Sequence, residues 1–188
     1  RENEDLPMYY NEHLNSCALE RCLKRAMEMI DYQNKPLRQD LGDKVRGLGV
    51  ALSMQGSGIA NVDIGSVEIK LQDDGFYTLA IGATDMGTGC DTILAQMAAE
   101  CLDCDVDQVI TQGVDTDFSP YDTGSYASAT TYVTGMAVVK ACETLREQIV
   151  AQAAVLLDVD PSHICFDGTM ITAAEDSKSI SLKDFANQ

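Results

Sequence analysis

Two glycine- and hydroxyl-rich stretches, Gly82-Ala-Thr-Asp-Met-Gly-Thr-Gly89 and Asp122-Thr-Gly-Ser-Tyr-Ala-Ser-Ala-Thr-Thr131, each run into a helix of apolar periodicity. A helix start approached over glycine offers unpaired backbone N–H groups and the positive end of the helix dipole, and hydroxyls add donors without bulk. The chemistry this suits is anion binding. Two such stretches in one chain of 188 residues point to a large, polar, phosphate-bearing ligand gripped from two sides. Ser128, Thr130 and Thr131 place three hydroxyls in four positions, more than helix capping uses. The second stretch is therefore the stronger anion candidate, while the Gly87-Thr88-Gly89 turn suits close approach to another part of the ligand.

Other chemistries fit the residues poorly. The dinucleotide pattern G-x-G-x-x-G fails because no third glycine follows Gly87 and Gly89, and the phosphate loop ending in Gly-Lys-Ser/Thr fails because no lysine lies between Asp73 and Val139. Asp115, Asp117 and Ser119 begin with the spacing of a calcium loop, but Pro120 takes the glycine position and Tyr126 the position of the bidentate glutamate. Cys101 and Cys104 form a C-x-x-C without the second pair that a structural zinc needs, and His13 and His163 stand alone. No metal ligand set is assigned.

Thirty acidic against 13 basic side chains give a net charge of −17, which opposes a nucleic-acid backbone and an anionic membrane surface alike. Neither is expected as a partner. No apolar run approaches the roughly 18 to 20 residues of a membrane span, and seven cysteines, an odd number scattered through the chain, fit a reducing compartment. A cytoplasmic location is the expectation. The first residue is Arg1, and the chain reads as a piece of something longer.

The elements that must position the two stretches are a mixture of α and β. Leu19, Leu23, Ala26 and Ile30 recur at helical spacing over 16–32, and Lys35-Pro36 with Gly42 marks a linker. Residues 1–44 are thus an N-terminal helix and linker, and 45–188 an α/β domain. Residues 45–54 read as a largely buried strand. Val67, Ile69 and Leu71 alternate with Glu68, Lys70 and Gln72 before Asp73-Asp-Gly75 turns the chain into a strand over 76–81, a hairpin with one buried face. A helix follows from Asp91 or Thr92 with Leu94, Met97, Ala98 and Cys101 inward. Residues 109–114 form a strand, and Ser125 opens a long helix whose stripe is Val138, Cys142, Leu145, Ile149, Ala153 and Leu156. Gly135 within it serves close packing or a bend. Short strands at 163–166 and 170–173 and a helical turn from Ser181 complete the chain. The fold class is α/β (α+β), a two-layer unit with a mixed sheet and a long helix.

Gly82-x-x-Asp-x-Gly-x-Gly89, Thr92, Gln96, Ala98-Ala-Glu100, Asp115-Thr116, Pro120, Ala127-Ser-x-x-Thr131 and Gly135-x-Ala-Val138 together resemble the molybdopterin-binding region of the xanthine dehydrogenase and aldehyde oxidase family. The resemblance runs from about Gly47 to Ile149. The stretch from Gly82 to Gln96 is most similar to the selenium-dependent purine or hypoxanthine hydroxylases. The resemblance implies a molybdopterin cofactor, with cytosine dinucleotide as one form. It implies contacts from Gly87, Thr88 and Gly89 near the metal and from Ser128, Thr130 and Thr131 along the pterin. Thr88 stands where the family carries a glutamine, and its hydroxyl reaches less far. Ala127 matches a small residue beside the metal, where bulk would obstruct substrate, and Tyr126 stands where the family often has another small residue, a departure that bears on pocket size.

The implied reaction is hydroxylation of an electron-poor carbon on a purine or related heterocycle, with oxygen from water and two electrons passed to molybdenum. The family's carboxylate base lies on a Gly-x-Gly-Glu stretch, which this sequence does not contain. Asp85 matches a structural acidic position, not that base. No catalytic residue is assigned here, and the chain by itself is expected not to turn over substrate. Iron–sulfur and FAD domains or subunits are the implied partners, and surface normally covered by them favours self-association. The competing reading is a non-enzymatic α/β interaction module whose glycine loops pack against another protein.

Overall fold

A computed structural model describes residues 17–53, 55–58, 62–174 and 177–188. Arg1, His13, Ser16 and Met54, named above singly or within a range, lie outside them. The chain divides into two compact units, Arg1–Gly56 and Ser57–Gln188.

The first unit has one helix, α1 (Leu19–Met29), and a two-stranded antiparallel hairpin of β1 (Arg38–Asp40) and β2 (Val45–Gly47). The helix presents the expected apolar stripe, yet none of its residues is buried. Glu20–Lys24 and Arg25–Glu28 ion pairs one turn apart lie on its exposed surface, where solvent screens them and they add little. The buried strand expected over 45–54 is corrected. Only β2 is a strand, all three of its residues are exposed, and the chain beyond it has no regular structure through Ser53. Apolar composition suggested burial, but Val45, Val50 and Leu52 remain more than 50% exposed.

The second unit carries the two loops. Its main sheet has the order β3-β4-β5, with β3 (Val67–Leu71) antiparallel to β4 (Tyr77–Ile81) and β4 parallel to β5 (Val109–Gln112). The mixed sheet is as expected. The hairpin register sets Val67 opposite Ile81, Ile69 opposite Leu79 and Leu71 opposite Tyr77, so one face is continuously apolar while Glu68 and Lys70 pair on the other at 2.8 Å. The turn works through Gly75 at φ +87° and the Asp74 carboxylate, which accepts from the Phe76 amide.

Against the apolar face pack α2 (Cys90–Leu102) and the 28-residue α3 (Thr130–Leu157). Tyr77, Leu79, Ile81, Leu94, Leu102, Val138 and Cys142 are the largest fully buried side chains of this layer. Full burial of each aliphatic member contributes about 1.5–3 kcal/mol. Gly135 faces the flexible tip of Met97, which could shift to admit a side chain there. A Cβ on it would lie 2.7 Å from the sulfur and methyl of Met97, where α3 meets α2. Leu156, placed in the α3 stripe from sequence, is 42% exposed, because the stripe drifts off the core in the last turns.

The remaining strands make a second sheet instead of joining the first: β6 (Ile164–Phe166), β7 (Met170–Ala173) and β8 (Ser179–Ser181), all antiparallel. The Asp167-Gly168 turn behaves as read, with the Asp167 carboxylate taking the Thr169 and Met170 amides. Helix α4 (Leu182–Ala186) is capped by the Ser181 hydroxyl, which accepts from the Asp184 amide. Arg146 of α3 fastens this sheet to the first layer. It donates to the carbonyls of Phe166 at 2.6 Å and Cys101 at 3.5 Å and lies over the Phe166 ring.

Candidate functional site

Because β4 and β5 are parallel, their carboxyl ends lie side by side, and each leads through a loop into a helix. The N-termini of α2 and α3 therefore open at one edge of the sheet, the usual place for a ligand in α/β architecture. The loops, 82–89 and 113–129, touch. The Ser125 hydroxyl donates to the Thr84 carbonyl at 3.2 Å. Gly82 is placed so that a Cβ would lie 2.5 Å from the Pro120 carbonyl oxygen and 2.8 Å from Asp122 Cβ. Glycine is required there by close approach, not by backbone conformation.

Loop 82–89 is organised by one carboxylate. Asp85 Oδ1 accepts from the backbone amides of Gly87, Thr88 and Gly89 at 2.8, 3.0 and 3.1 Å. Those bonds, led by Gly87, hold the exposed Asp85 carboxyl below its usual range. Gly87 and Gly89 both have positive φ, +101° and +74°, which curls the amides into a concave nest around the oxygen. Helix α2 starts at Cys90, one residue before the expected start, with Gly89 in the cap position and no capping side chain. The sequence-predicted donors of this loop are thus present, but their amides already hold an internal anion. Gly87 and Thr88 remain exposed and Gly89 is half-buried.

Loop 113–129 differs. Helix α3 begins at Thr130, not Ser125, and its first internal bond runs from the Val133 amide to the Ala129 carbonyl. The amides of Thr130, Thr131 and Tyr132 precede that bond and are the outward-facing donors of the helix start. Before them, Tyr126 to Ala129 form a turn closed by the Ala129 amide on the Tyr126 carbonyl at 3.3 Å. Its two central residues, Ala127 and Ser128, both lie in the left-handed region at φ +52° and +54°. Neither is glycine, so each costs about 1–2 kcal/mol. Val114, at φ +57° in the same loop, is a β-branched residue in a conformation such residues avoid. Such strain concentrates at ligand sites.

The sequence-predicted residues are brought to one edge. Ala127 is buried, Thr130 half-buried, and Thr88, Tyr126, Ser128 and Thr131 exposed. The strained turn, the Asp85 bonds and the Ser125–Thr84 bond were missed. Asp85 alone left a signal, an acid two residues before a glycine turn. A crevice of about 10 Å³ whose lining includes Asp63, Asp122, Gly124, Tyr126, Ala129 and Thr130 adjoins the helix start, too small for more than a water. The larger cavity of this unit, about 500 Å³, lies at the other end of α2 among Glu100, Asp103 and Asp105, where acidic groups repel an anion. The loops form an open wall.

Asp85, Cys90 and Asp91 are the one cluster of metal-capable side chains among the described residues. It suits a cation badly. Asp85 is spent on three amides, burial pushes the Cys90 thiol up, and the positive end of α2 opposes a cation. In the 113–129 loop the Asp115 carboxylate accepts from the Asp117 amide at 2.9 Å, which closes a turn.

The family model for the molybdopterin cofactor-binding domain matches residues 25–188. The chain belongs to this family. The protein of Escherichia coli (strain K12) named "Probable hypoxanthine oxidase XdhD" is 42% identical over 142 residues, covering 76% of this chain and 15% of that protein. The xanthine dehydrogenase molybdenum-binding subunit of Escherichia coli O157:H7 is 30% identical over 193 residues, covering 99% of this chain and 26% of the subunit. The molybdopterin-domain fold recurs in CO dehydrogenase from Oligotropha carboxidovorans, with a TM-score of 0.59 and 26% identity over 65% of this chain and 15% of that one. The chain therefore spans between 15% and 26% of the length of these relatives.

A molybdopterin is anionic at its phosphate and rich in ring acceptors, and the donor set suits it unevenly. Three outward amides and the hydroxyls of Ser128, Thr130 and Thr131 at the start of α3 match an anionic or acceptor-rich group. The 82–89 nest, with its amides engaged, does not match a phosphate and can meet the cofactor only through Thr88 and glycine surface.

Proposed function

We propose that the edge formed by loops 82–89 and 113–129 is one wall of the molybdopterin site of a xanthine dehydrogenase-like hydroxylase. In this reading Ser128, Thr130 and Thr131 hold the pterin and its phosphate at the start of α3. Gly87, Thr88 and Gly89 approach the metal end, and Ala127 and Tyr126 border the substrate. The observation that carries it is the convergence of two helix starts at one sheet edge, joined by the Ser125–Thr84 bond, in a chain of the molybdopterin-binding family.

The cofactor, when bound, supplies oxygen transfer from water to an electron-poor carbon and accepts two electrons. This chain's residues contribute binding and orientation. The α3 donors fix the anionic end, the small Ala127 leaves room beside the metal, and the Tyr126 ring narrows the approach to a flat heterocycle. We read the substrate as a purine or related heterocycle, in keeping with the relatives named for hypoxanthine and xanthine. Cytosine dinucleotide as the cofactor form, a selenium ligand on the metal, iron–sulfur and FAD partners carrying the electrons onward, and a cytoplasmic location belong to the same proposal. So does inactivity of the 188-residue chain alone, which contains no Gly-x-Gly-Glu stretch for the base.

The test is the molybdenum and pterin content of the complete enzyme carrying Ser128→Gly with Thr130→Val. Glycine preserves the left-handed backbone at 128 while deleting the hydroxyl, and valine preserves shape at 130. Cofactor content is expected to fall at least about tenfold, the size of two lost hydrogen bonds. Full loading would overturn the assignment.

A further inference from the structure

Asp85 lies in none of the roles above, yet it decides what its loop can bind. Its single oxygen gathers the three amides of Gly87, Thr88 and Gly89, the donors that a glycine turn before a helix would otherwise offer to a phosphate. The curl that brings them together needs Gly87 and Gly89 at positive φ. The carboxylate is exposed and negatively charged at neutral pH, so these are charge-assisted bonds. In the opposite loop the Asp122 carboxylate accepts from the Gly124 amide at 2.7 Å, and Asp63 lies beside Thr130 in the crevice at the start of α3.

We propose that Asp85 is a positioning and specificity residue. Its carboxylate is a built-in anion that fills the nest of loop 82–89 and excludes an external phosphate from it. The anionic part of the ligand is thereby directed to the start of α3. This rests on the function proposed above for the two loops. The chain's two anion-type loops are not equivalent: three amides of the first are gathered on one internal carboxylate.

Amide NMR of the protein, free of cofactor, tests it with inorganic phosphate and formate as probes. In Asp85→Ala the amides of Gly87, Thr88 and Gly89 are expected to shift on titration with either anion, and in the unsubstituted protein they are expected not to move. Asp85→Asn retains an acceptor oxygen and is expected to keep the loop amides near their original positions without binding phosphate. It also serves should the alanine variant fail to fold. Phosphate shifting these three amides equally in unsubstituted and Asp85→Ala protein, or the amides of Asp85→Asn moving as far as those of Asp85→Ala, would overturn the proposal. In the complete enzyme, molybdenum content is expected to fall about tenfold in Asp85→Ala and to be restored in Asp85→Asn. Unchanged molybdenum content in an Asp85→Ala enzyme whose nest binds phosphate would overturn the directing role. A Ser128→Gly/Thr130→Val enzyme that stays loaded while the NMR result holds would refute the α3 assignment and leave the filled nest standing.

Discussion

Ser125 Oγ donates to the Thr84 carbonyl at 3.2 Å across 41 residues of sequence, and this bond joins the loop after β4 to the loop after β5. Beside it Gly82 backs directly onto the Pro120 carbonyl. The two contacts make one surface from two connections that the sheet brings only side by side.

Substitutions at the two contacts separate their contributions. Ser125→Ala removes one exposed neutral hydrogen bond and is expected to cost no more than about 1 kcal/mol, with faster amide exchange in both loops. Gly82→Ala forces the loops apart and is expected to cost about 1–3 kcal/mol. Urea unfolding midpoints check both, and equal effects would contradict the account.

The strained turn before α3 gives a prediction of opposite sign. Ala127→Gly and Ser128→Gly relieve a left-handed conformation and are expected to be neutral or stabilising by up to about 1 kcal/mol each, after the added chain entropy of glycine. Ala127→Val places a branched side chain in the same region and is expected to destabilise by about 1–2 kcal/mol. Thermal unfolding of the three variants, compared at one pH, decides this.

Much of what positions the loops was legible, and the reasons are physical. The strict alternation of Val67, Ile69 and Leu71 with Glu68 and Lys70, ending in Asp73-Asp-Gly75, can hardly form anything but a one-face hairpin. The 3.6-residue stripes of α2 and α3 were equally plain. Of the run expected as a strand over 45–54, only Val45–Gly47 pairs, with the short exposed β1, and apolar composition alone cannot say where pairing and burial stop. The turn at Ala127 and Ser128 was invisible because alanine and serine carry no preference for positive φ; only the fold imposes it. The short β8, Ser179–Ser181, has too few residues for a pattern. At the site, residue types pointed to the right edge, but the sequence could not say that the Asp85 carboxylate occupies the first loop's amides.

Besides Glu20 of α1, three carboxylates, all in the second unit, have lowered pKa values and shape its acid limb of stability. Asp85, Asp160 and Asp167 all have folded-state pKa values lowered from the ordinary 3.8, Asp85 and Asp167 chiefly by backbone amides and Asp160 by the Ser162 hydroxyl and amide. Groups nearby that also carry charge are Asp91 beside Asp85 and His163 beside Asp160. A lowered carboxyl pKa gives stability that is present above the unfolded value and lost as pH falls through the folded one. Stability should therefore be level above about pH 5 and decline below about pH 4. Combined Asp→Asn substitution at the three sites is expected to flatten that decline, and an unchanged slope would contradict it.

The thiols should divide by burial. Desolvation pushes Cys104 up to about 11 and Cys142 up to about 12, and it also raises Cys90 and Cys101. Cys22 and Cys165 are exposed. Iodoacetamide at about pH 8 is expected to alkylate Cys22 and Cys165 first and to leave Cys90 and Cys142 unmodified until the protein unfolds, as read by peptide mass spectrometry.

The division of labour between the loops is the centre of this account, and hydrogen exchange of the complete enzyme with and without its cofactor tests it most directly. Cofactor binding is expected to slow exchange at the amides of Thr130, Thr131 and Tyr132 and to leave Gly87, Thr88 and Gly89, already bonded to Asp85, nearly unchanged. Protection at 87–89 with none at 130–132 would contradict it.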